Sequence, residues 1–289
     1  MKPLLKWVGG KQKLLDLIIP NMPKKMNNYH ELFVGGGSVL LGVLEAQKIN
    51  EIIVQKNIYA YDSNPILIAF YKQIQKDYNK LYIEVLKLKN DYENCKEQEN
   101  KAAYYYKIRT LYNSAEIDIE KIAMFVFLNK TGFRGLFRIN KSGGYNVPYG
   151  NYKNPNIADK DAWREVSELI KNVKFFCCDF EDVKNIKKND FIYMDPPYIP
   201  EQKNGFVSYS KDGFTEEKHN KLFELCHKLK CNFMMSNSNT KTVQQKMKKF
   251  NLTMIMARRA INSKNPGSFT FELIITNYDS PDKAIQINF

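Results

Sequence analysis

Apolar and polar positions along the chain predict strands that alternate with helices. Short apolar runs, each ended by a polar or glycine-rich turn, are typical of buried strands, and the longer amphipathic stretches between them are typical of helices. Because parallel strands need helical crossovers, this order predicts an α/β fold with a mostly parallel sheet. The predicted strands cover residues 29–34, 58–62, 173–177, 191–194, 232–235, 253–256 and 271–276.

The pattern changes in the middle of the chain. Long charged helical stretches, such as 81–99, are followed by a glycine-rich and aromatic segment at 131–155 that has no helical period. No internal repeat or low-complexity linker separates these parts. The simplest organisation is one α/β core formed by residues 1–63 and 157–289, interrupted by a mainly helical insertion at 64–156.

The chain is strongly basic. Its 289 residues include 44 Lys and Arg against 31 Asp and Glu, which gives a net charge of +13. This surplus favours a polyanionic partner, and nucleic acid ahead of a membrane, because no basic amphipathic stretch stands out. The alternative is a lysine-coated surface that only aids solubility. Arginine is rare, so each one suggests a position where a planar, forked cation matters. The six arginines are Arg109, Arg134, Arg138, Arg164, Arg258 and Arg259.

Cysteine and histidine usage argues against a disulfide framework and a metal site. The five cysteines include no CxxC pair, and the three histidines have no metal-ligand spacing. No apolar stretch approaches the length needed to cross a bilayer, and the N-terminus lacks the apolar core of a secretory signal. We therefore expect an intracellular, soluble protein with reduced thiols, without a metal or a membrane partner.

Glycines follow the first predicted strand, in the segment Phe33-Val-Gly35-Gly-Gly37-Ser. A strand that ends in FxGxG and leads into a helix lets a ligand approach bare backbone at the edge where open α/β sheets bind ligands. A tight strand-to-helix connection without a ligand is the alternative. Asp62 ends the next strand, and an acid there can accept both hydroxyls of a ribose. The same residue type also suits an N-cap of the helix that begins near Pro65.

The strongest motif is Asp195-Pro196-Pro197-Tyr198, which directly follows the strand at 191–194. Two consecutive prolines fix the turn and remove two N–H donors, so neighbouring carbonyls point outward without an internal competitor. Asp195 and the Pro196 carbonyl thus form an acceptor cluster suited to an amino group with two hydrogens. The Tyr198 ring offers a surface for a planar base. A Pro-Pro turn with a capping Asp is the alternative.

FxGxG, a long insertion and DPPY, in this order, resemble the amino-methyltransferases that use S-adenosylmethionine. The opening Leu5-Lys-Trp-Val-Gly-Gly-Lys11 is similar to that of the Dam-type DNA adenine methyltransferases, and the likeness extends to about Tyr278. It implies a Rossmann-like methyltransferase fold with an inserted target-recognition domain, S-adenosyl-L-methionine as cofactor and double-stranded DNA as partner. Further segments that follow in the family's order are Ser236-Asn-Ser-Asn239, Arg258-Arg259 and Glu272-Leu-Ile-Ile.

The resemblance also implies roles at the cofactor. The Asp179-Phe180 pair matches a clamp on the cofactor's adenine ring, although an Asp after a strand also suits a cap. Phe33, Gly35 and Gly37 match the floor of the site. The implied cofactor-binding residues are Trp7, Lys11, Phe33, Gly35, Gly37, Asp62, Asp179, Phe180 and Asp195. The implied catalytic residues are Asp195, Pro196, Pro197 and Tyr198.

The segment 127–150 resembles the family's target-recognition loop and implies a reader of GATC. Arg138 matches the guanine-reading arginine, whose planar fork suits O6 and N7, and Lys6 matches a second guanine contact. Phe133 matches a ring inserted into the base stack. Two residues depart from the family pattern: Arg134 replaces the common Asn, which leaves the contact to the unpaired strand open, and Leu32 replaces Pro. The implied DNA-binding residues are Lys6, Phe133, Arg134, Leu136, Arg138, Asn140, Pro148 and Tyr152.

Together these features predict direct transfer of a methyl group from S-adenosylmethionine to N6 of a flipped adenine in double-stranded DNA, within GATC. Methylation of another exocyclic amine, either cytosine N4 or adenine in RNA, is the main alternative among enzymes. A catalytically silent DNA-binding relative is the alternative outside enzymes. The sequence leaves open whether methylation serves self-protection beside a cognate restriction endonuclease, replication timing or viral DNA marking.

Overall fold

Nine strands and eight α-helices are present in the computed structural model, which describes residues 1–199, 214–258 and 269–280; Arg259 lies outside these ranges. No helix within them is long and apolar enough to cross a membrane. The strands are β1 (Lys25–Met26), β2 (Tyr29–Glu31), β3 (Ile53–Val54), β4 (Ile58–Asp62), β5 (Val173–Cys177), β6 (Phe191–Met194), β7 (Asn232–Ser238), β8 (Asn251–Arg258) and β9 (Phe269–Thr276). The α-helices are α1 (Leu15–Ile18), α2 (Ser38–Lys48), α3 (Pro65–Asn94), α4 (Gln98–Ser114), α5 (Ile119–Thr131), α6 (Lys160–Leu169), α7 (Glu216–Lys228) and α8 (Lys241–Met247).

The central sheet has the order β5-β4-β2-β6-β7-β9-β8. The first five of these strands pair in parallel, whereas β9 is antiparallel to both β7 and β8. The chain crosses from β2 to β4 on one side and later reaches β6 on the other side. The strand order therefore reverses at β2, and open α/β sheets bind their ligands in the crevice at such a point. The predicted α/β fold with a mostly parallel sheet is confirmed.

The first strand of this sheet is shorter than the predicted 29–34. Strand β2 ends at Glu31, but the next residues stay beside the sheet: Leu32 N donates to Tyr193 O at 3.1 Å, and Val34 N donates to Tyr61 O at 2.9 Å. Phe33, between them, is thereby turned out of the sheet towards its carboxyl edge. A two-stranded parallel pair of β1 with β3, which the pattern did not predict, lies outside the main sheet.

Helix α3 carries the chain from the core into the insertion. It begins at Pro65 with Asn64 as N-cap, whose side chain accepts a hydrogen bond from Leu67 N. The helix is interrupted at Asp77, which has a φ of −166° and a ψ of 88°, and it ends at Asn94. The prediction of a helix at 81–99 was therefore wrong at both ends. The Asp77 carboxylate accepts from Lys80 N and so caps the second half of α3.

One continuous apolar core joins the sheet, the inserted helices and the segment that follows them. Tyr71 of α3 stacks on Phe175 of β5 with ring centroids 4.9 Å apart, and Phe125 of α5 meets Phe137 at 5.9 Å. Residues 132–149, here called the exposed hairpin, form an irregular antiparallel loop with isolated bridges at Gly132–Tyr149 and Ile139–Tyr145. The absence of a helical period was thus a correct signal for this region, apart from a short 3₁₀ turn at Phe133–Gly135.

Candidate active site

A cavity of about 530 Å³ opens at the carboxyl ends of β2, β4 and β6. This is the sheet edge at which the strand order reverses. It brings together segments far apart in sequence: the N-terminal segment, the glycine turn, the end of β4, the DPPY turn and the start of α7. Of the residues predicted to bind cofactor or to be catalytic, those in its wall are Trp7, Lys11, Phe33, Gly35, Asp62, Asp179, Phe180, Asp195, Pro196, Pro197 and Tyr198.

The glycine turn packs directly against Trp7. A Cβ on Gly35 would lie 2.9 Å from the indole ring, and one on Gly36 would lie 2.7 Å from the Trp7 Cβ. Gly35 also has a φ of +47°, which few other residues adopt. Gly37 is not part of the cavity wall: it is the N-cap of α2 at a φ of +75°, and a Cβ there would lie 2.6 Å from the Tyr71 hydroxyl. Its cofactor role stays a prediction.

Asp62 has both carboxylate oxygens directed at backbone N–H groups. Oδ2 accepts from Gly35 N at 3.0 Å, and Oδ1 accepts from Asn64 N at 2.9 Å. The helix cap proposed for Asp62 is supplied by Asn64 instead. Burial raises the pKa of Asp62 to about 6, against the two N–H donors, which favour the ionised form. Each oxygen keeps a lone pair for a further donor.

Asp179 both caps a turn and faces the cavity. Its Oδ1 accepts from Glu181 N in the 3₁₀ turn Phe180–Asp182, so the capping alternative holds alongside its place in the cavity wall. Its Oδ2 pairs with Lys218 Nζ of α7 at 2.5 Å. Lys218 was missed by sequence reasoning because only the fold brings α7 to this edge.

Three aromatic rings line the same part of the cavity. Phe33 lies 5.6 Å from Phe180 and 5.8 Å from Phe214, and the last two rings are also 5.8 Å apart. Phe214, just before α7, is a second wall residue that the sequence did not single out. The three rings form an apolar corner suited to a flat ligand.

Asp195 and Tyr198 surround the Lys11 ammonium. Lys11 Nζ lies 2.8 Å from Asp195 Oδ1, donates to the Gly9 carbonyl at 2.7 Å, and stands 4.8 Å from the centroid of the Tyr198 ring. Asp195 Oδ1 is itself buried, so Lys11 is its charge partner in place of water. Burial raises the pKa of Asp195, and the Lys11 charge opposes that shift.

Glu31 is a buried acid in the wall of the cavity to which the sequence pattern assigned no role. The Tyr29 hydroxyl donates to its Oε2 at 2.6 Å. Burial, with a smaller contribution from the nearby Asp195 charge, raises the pKa of Glu31 to about 8 against the opposing hydrogen bond from Tyr29. An acid inside the strand predicted at 29–34 was the available signal.

Two predicted DNA-contacting residues, Lys6 and Tyr152, touch each other at the base of the exposed hairpin. Lys6 Nζ lies 4.0 Å from the centroid of the Tyr152 ring and donates to the Lys130 carbonyl. The Tyr152 hydroxyl accepts from Arg134 N at 2.8 Å, where Arg134 has the uncommon φ of +55°. The Arg134 guanidinium lies 5.1 Å from the centroid of the Phe133 ring, which is 41% exposed.

The remaining predicted DNA contacts lie along the exposed hairpin. Arg138 donates from Nε to Asn146 Oδ1 at 2.6 Å and from Nη2 to Asn146 O at 2.8 Å, which fixes the plane of its guanidinium. Asn140 accepts from Ser142 and Gly144 and so shapes the hairpin tip. Pro148 is exposed and Leu136 half-buried.

A match to a protein-family model identifies the family of this chain. Residues 7–261 match the model of the D12 class N6 adenine-specific DNA methyltransferases. The chain belongs to this family. It is 37% identical over 294 residues to the Type II methyltransferase M.MjaIII of Methanocaldococcus jannaschii, with 96% of this chain and 99% of that protein covered. It is 30% identical over 279 residues to a DNA adenine methylase of Haemophilus influenzae, with 92% and 89% covered.

A second Type II methyltransferase, M1.LlaDCHI of Lactococcus lactis subsp. cremoris, is 35% identical over 291 residues, with 96% of each chain covered. Among solved structures, an S-adenosylmethionine-dependent O-methyltransferase of Thermotoga maritima aligns with a TM-score of 0.37 at 10% identity, over 95% of this chain and 67% of that one. That overlap is too loose to support any argument about the site.

As a D12-class methyltransferase, the chain uses S-adenosylmethionine, and the cavity suits it. Its volume falls in the range of about 300–1,000 Å³ typical of small-molecule sites. The glycine turn leaves bare backbone beside Trp7, Asp62 offers carboxylate oxygens for hydroxyl donors, and the three phenylalanine rings offer an apolar corner. Within the described ranges, no group of three His, Cys, Asp or Glu side chains is arranged to hold a metal.

Proposed function

We propose that this D12-class enzyme methylates N6 of an adenine flipped out of duplex DNA at GATC sites. The observation that carries the proposal is the place of Asp195 in the cavity wall: its Oδ1 is buried and pairs with Lys11 Nζ at 2.8 Å, while 19% of its side chain is still exposed. The exposed part of this carboxylate can accept a further hydrogen bond from a ligand in the cavity. The amino group of a flipped base is a suitable donor.

Asp195 and the Pro196 carbonyl accept the two hydrogens of the target amine. This favours a pyramidal nitrogen, whose lone pair can then point in line at the methyl carbon. Bound S-adenosylmethionine supplies that methyl group as a sulfonium, so no covalent enzyme intermediate is required. Lys11 favours the ionised form of Asp195 and so opposes the rise in pKa caused by burial, because its ammonium lies 2.8 Å from the carboxylate.

Flipping is required because N6 cannot be reached inside a duplex, and it costs a few kcal/mol. The exposed Phe133 ring offsets part of that cost by filling the gap in the base stack, while the Tyr198 ring stacks on the flipped adenine. Phe133 lies in the exposed hairpin, where it can fill the space that the adenine leaves in the duplex. Tyr198 lies in the cavity wall, where it can stack on the adenine after flipping.

The division of labour follows the proposed domains. Residues 1–63 and 157–289 form the catalytic domain that holds the cofactor cavity, and residues 64–156 carry DNA recognition. Arg138, held in plane by Asn146, reads guanine, and Lys6 provides the second guanine contact. Leu136 and Pro148 contact the inner A·T pairs. Asn140 stabilises the tip of the exposed hairpin, in which both residues lie. Trp7, Phe33, Gly35, Gly37, Asp62, Asp179 and Phe180 bind the cofactor.

Transfer of labelled methyl groups to defined oligonucleotides tests this proposal. A duplex with one GATC site should be labelled, and duplexes with a substitution at any of its four base pairs should be labelled much less. Digestion to nucleosides should yield N6-methyladenine; label in cytosine would support the alternative of N4 methylation. Equal labelling of a single-stranded RNA of the same sequence would overturn the choice of substrate.

A cognate restriction endonuclease that acts on the same site is the proposed partner in the cell. The two Type II methyltransferases among the relatives support it. Resistance of host DNA to a GATC-cutting endonuclease, gained when this chain is expressed, would show protection. DNA that is methylated at another sequence and still cut at GATC would contradict it.

A further inference from the structure

A carboxylate outside the DPPY motif holds the aromatic ring of that motif. The Tyr198 hydroxyl donates a hydrogen bond of 2.8 Å to Glu272 Oε2. Tyr198 follows β6, whereas Glu272 lies in β9, 74 residues further along the chain. The bond therefore connects the DPPY turn to the antiparallel part of the sheet.

The register of the sheet brings Glu272 to the cavity edge. Glu272 pairs with Ser238, the last residue of β7, and β7 runs parallel to β6. The same edge also anchors the backbone beyond Tyr198, because Ser238 Oγ donates to the Ile199 carbonyl at 2.9 Å. The ring of Tyr198 and the backbone behind it thus have separate anchors on two neighbouring strands.

A tyrosine on a short turn needs such an anchor to present one face of its ring. Rotation about its two side-chain torsions moves the ring plane, and the second of these torsions is broadly distributed. Glu272 holds the hydroxyl, which is the end of the ring farthest from the backbone. The Lys11 ammonium lies 4.8 Å from the ring centroid. The ring is therefore held at three places: its backbone, its hydroxyl and its π-face.

We propose that Glu272 is a positioning residue, which sets the plane of the Tyr198 ring for stacking against the target base. This rests on the proposed function, in which Tyr198 stacks on the flipped adenine. Without Glu272 the ring samples other orientations, and a smaller fraction of bound bases lies in line with the methyl donor. Glu272 thus acts on the target through Tyr198 and not by contact with the base.

A double-mutant cycle tests this role, with the single-turnover rate of methyl transfer to a one-site duplex as readout. Tyr198→Phe keeps the ring but removes the hydroxyl that reaches Glu272. We expect Glu272→Ala to lower the rate roughly tenfold in the wild-type background and less than about twofold in the Tyr198→Phe background. Glu272→Gln, whose amide oxygen still accepts the hydroxyl proton, should restore most of the rate. Equal losses in both backgrounds would overturn the proposal.

Ser238→Ala is the matched control, because it removes the anchor of the Ile199 backbone and leaves the hydroxyl bond in place. Its effect on the rate should add to that of Tyr198→Phe within about twofold. Coupling as strong as that of Glu272→Ala would show a general loosening of the turn, and the positioning role would fail. Calorimetry should give the same S-adenosylmethionine affinity for Glu272→Ala as for the wild type, since Glu272 is not in the cavity wall.

Fluorescence of 2-aminopurine at the target position distinguishes the role of Glu272 from the proposed stacking of Tyr198 on the flipped base. This base brightens when it leaves the DNA stack and is quenched by an aromatic neighbour. An unchanged signal for Tyr198→Ala would refute stacking on Tyr198. A changed signal for Tyr198→Ala with an unchanged signal for Glu272→Ala would refute only the role of Glu272. We expect both variants to change the signal in the same direction, Glu272→Ala by the smaller amount.

Discussion

The cofactor cavity and the exposed hairpin fix their side chains by different means. In the cavity, Asp62 pairs with Cys177 at the end of β4 and Asp195 directly follows β6, so the parallel sheet places both residues. The hairpin has two isolated bridges instead of a ladder. Regular backbone structure places the groups of the cavity, whereas the hairpin depends on what surrounds it.

Side chains of helix α4 supply that support. The Val147 carbonyl accepts from the Tyr105 hydroxyl at 2.9 Å and from Arg109 Nη1 at 3.0 Å. The Asn113 amide donates to the Tyr145 carbonyl and accepts from the Tyr145 N–H. Substitutions on α4 can therefore change the shape of the hairpin without touching DNA.

The largest effect is expected from Asp195→Ala in the cavity. Loss of the acceptor for the target amine should lower the methyl-transfer rate by roughly a hundredfold or more. The measurement is single-turnover labelling of a one-site duplex. Because this change leaves Lys11 buried without its partner, the thermal unfolding midpoint is measured in parallel, and Asp195→Asn serves as the variant of equal size. More than about 5% of the wild-type rate in a folded Asp195→Ala protein would remove Asp195 from the mechanism.

Asp62→Ala should act on the cofactor and not on DNA. We expect S-adenosylmethionine affinity to fall by about 1.5–3 kcal/mol, the usual contribution of a hydrogen bond to a charged group. Isothermal calorimetry measures this directly. DNA affinity in the absence of cofactor should be unchanged, which separates the two regions. Unaltered cofactor affinity would leave Asp62 with the structural task of holding Gly35 N and Asn64 N.

Arg138→Ala should act on the hairpin alone and cost about 1–3 kcal/mol of discrimination at one G·C pair. The measurement is kcat/KM on GATC and on duplexes substituted at the last base pair of the site, at two salt concentrations. Activity on GATC should fall, and activity on the substituted duplexes should fall much less. An equal loss on every duplex, with a salt slope lowered by about one, would identify Arg138 as a phosphate contact.

Cofactor affinity should depend on pH through Asp62, whose pKa is about 6. Ribose hydroxyls donate to the ionised carboxylate, so binding is strongest above this pKa and weakens as the pH falls through it. Between about pH 7.5 and pH 5 we expect roughly a tenfold loss of affinity by calorimetry. Asp62→Asn should bind more weakly and without this pH dependence. The same slope in Asp62→Asn would assign the titration to another group.

The smallest expected effect is that of Asn146→Ala, which removes the bond from Arg138 Nε to Asn146 Oδ1 and keeps the bond from Nη2 to the carbonyl of residue 146. Discrimination at the same G·C pair should fall by about 0.5–1.5 kcal/mol, with cofactor affinity unchanged. Steady-state rates on matched and substituted duplexes measure it. A larger loss than that of Arg138→Ala would mean that Asn146 itself contacts DNA.

The same contrast explains what could be predicted from the sequence. Strands with continuous apolar runs, such as Phe191–Met194 and Ile58–Asp62, appear in the sheet with the predicted bounds. The end of helix α3 at Asn94 was not predicted, because neither Asn94 nor the residues just after it are Gly or Pro. The interruption at Asp77 was not predicted either, because it depends on local hydrogen bonds that the hydrophobic pattern does not show. Regular strands and helices produce a periodic pattern of apolar residues in the sequence, whereas local side-chain contacts produce no such pattern.

The candidate site divides in a similar way. Residues within motifs, such as Asp195 and Asp62, could be predicted because strand ends converge at one sheet edge. Phe214 and Lys218 could not, since their nearness to the cavity depends on how α7 is placed by the fold. The roles of the DNA-facing residues stay predictions.

Tyr71 limits how such enzymes can be recombined. Its hydroxyl donates to the Gly35 carbonyl at 2.9 Å and lies over Gly37, and further along α3 the Gln75 amide donates to the Ile170 and Val173 carbonyls. A chimaera joined at residue 64 would replace these contacts along with the reading segment and would disturb the glycine turn. Joints at residues 132 and 149 leave α3 in place, but the transferred loop must still fit the Tyr105, Arg109 and Asn113 side chains of α4.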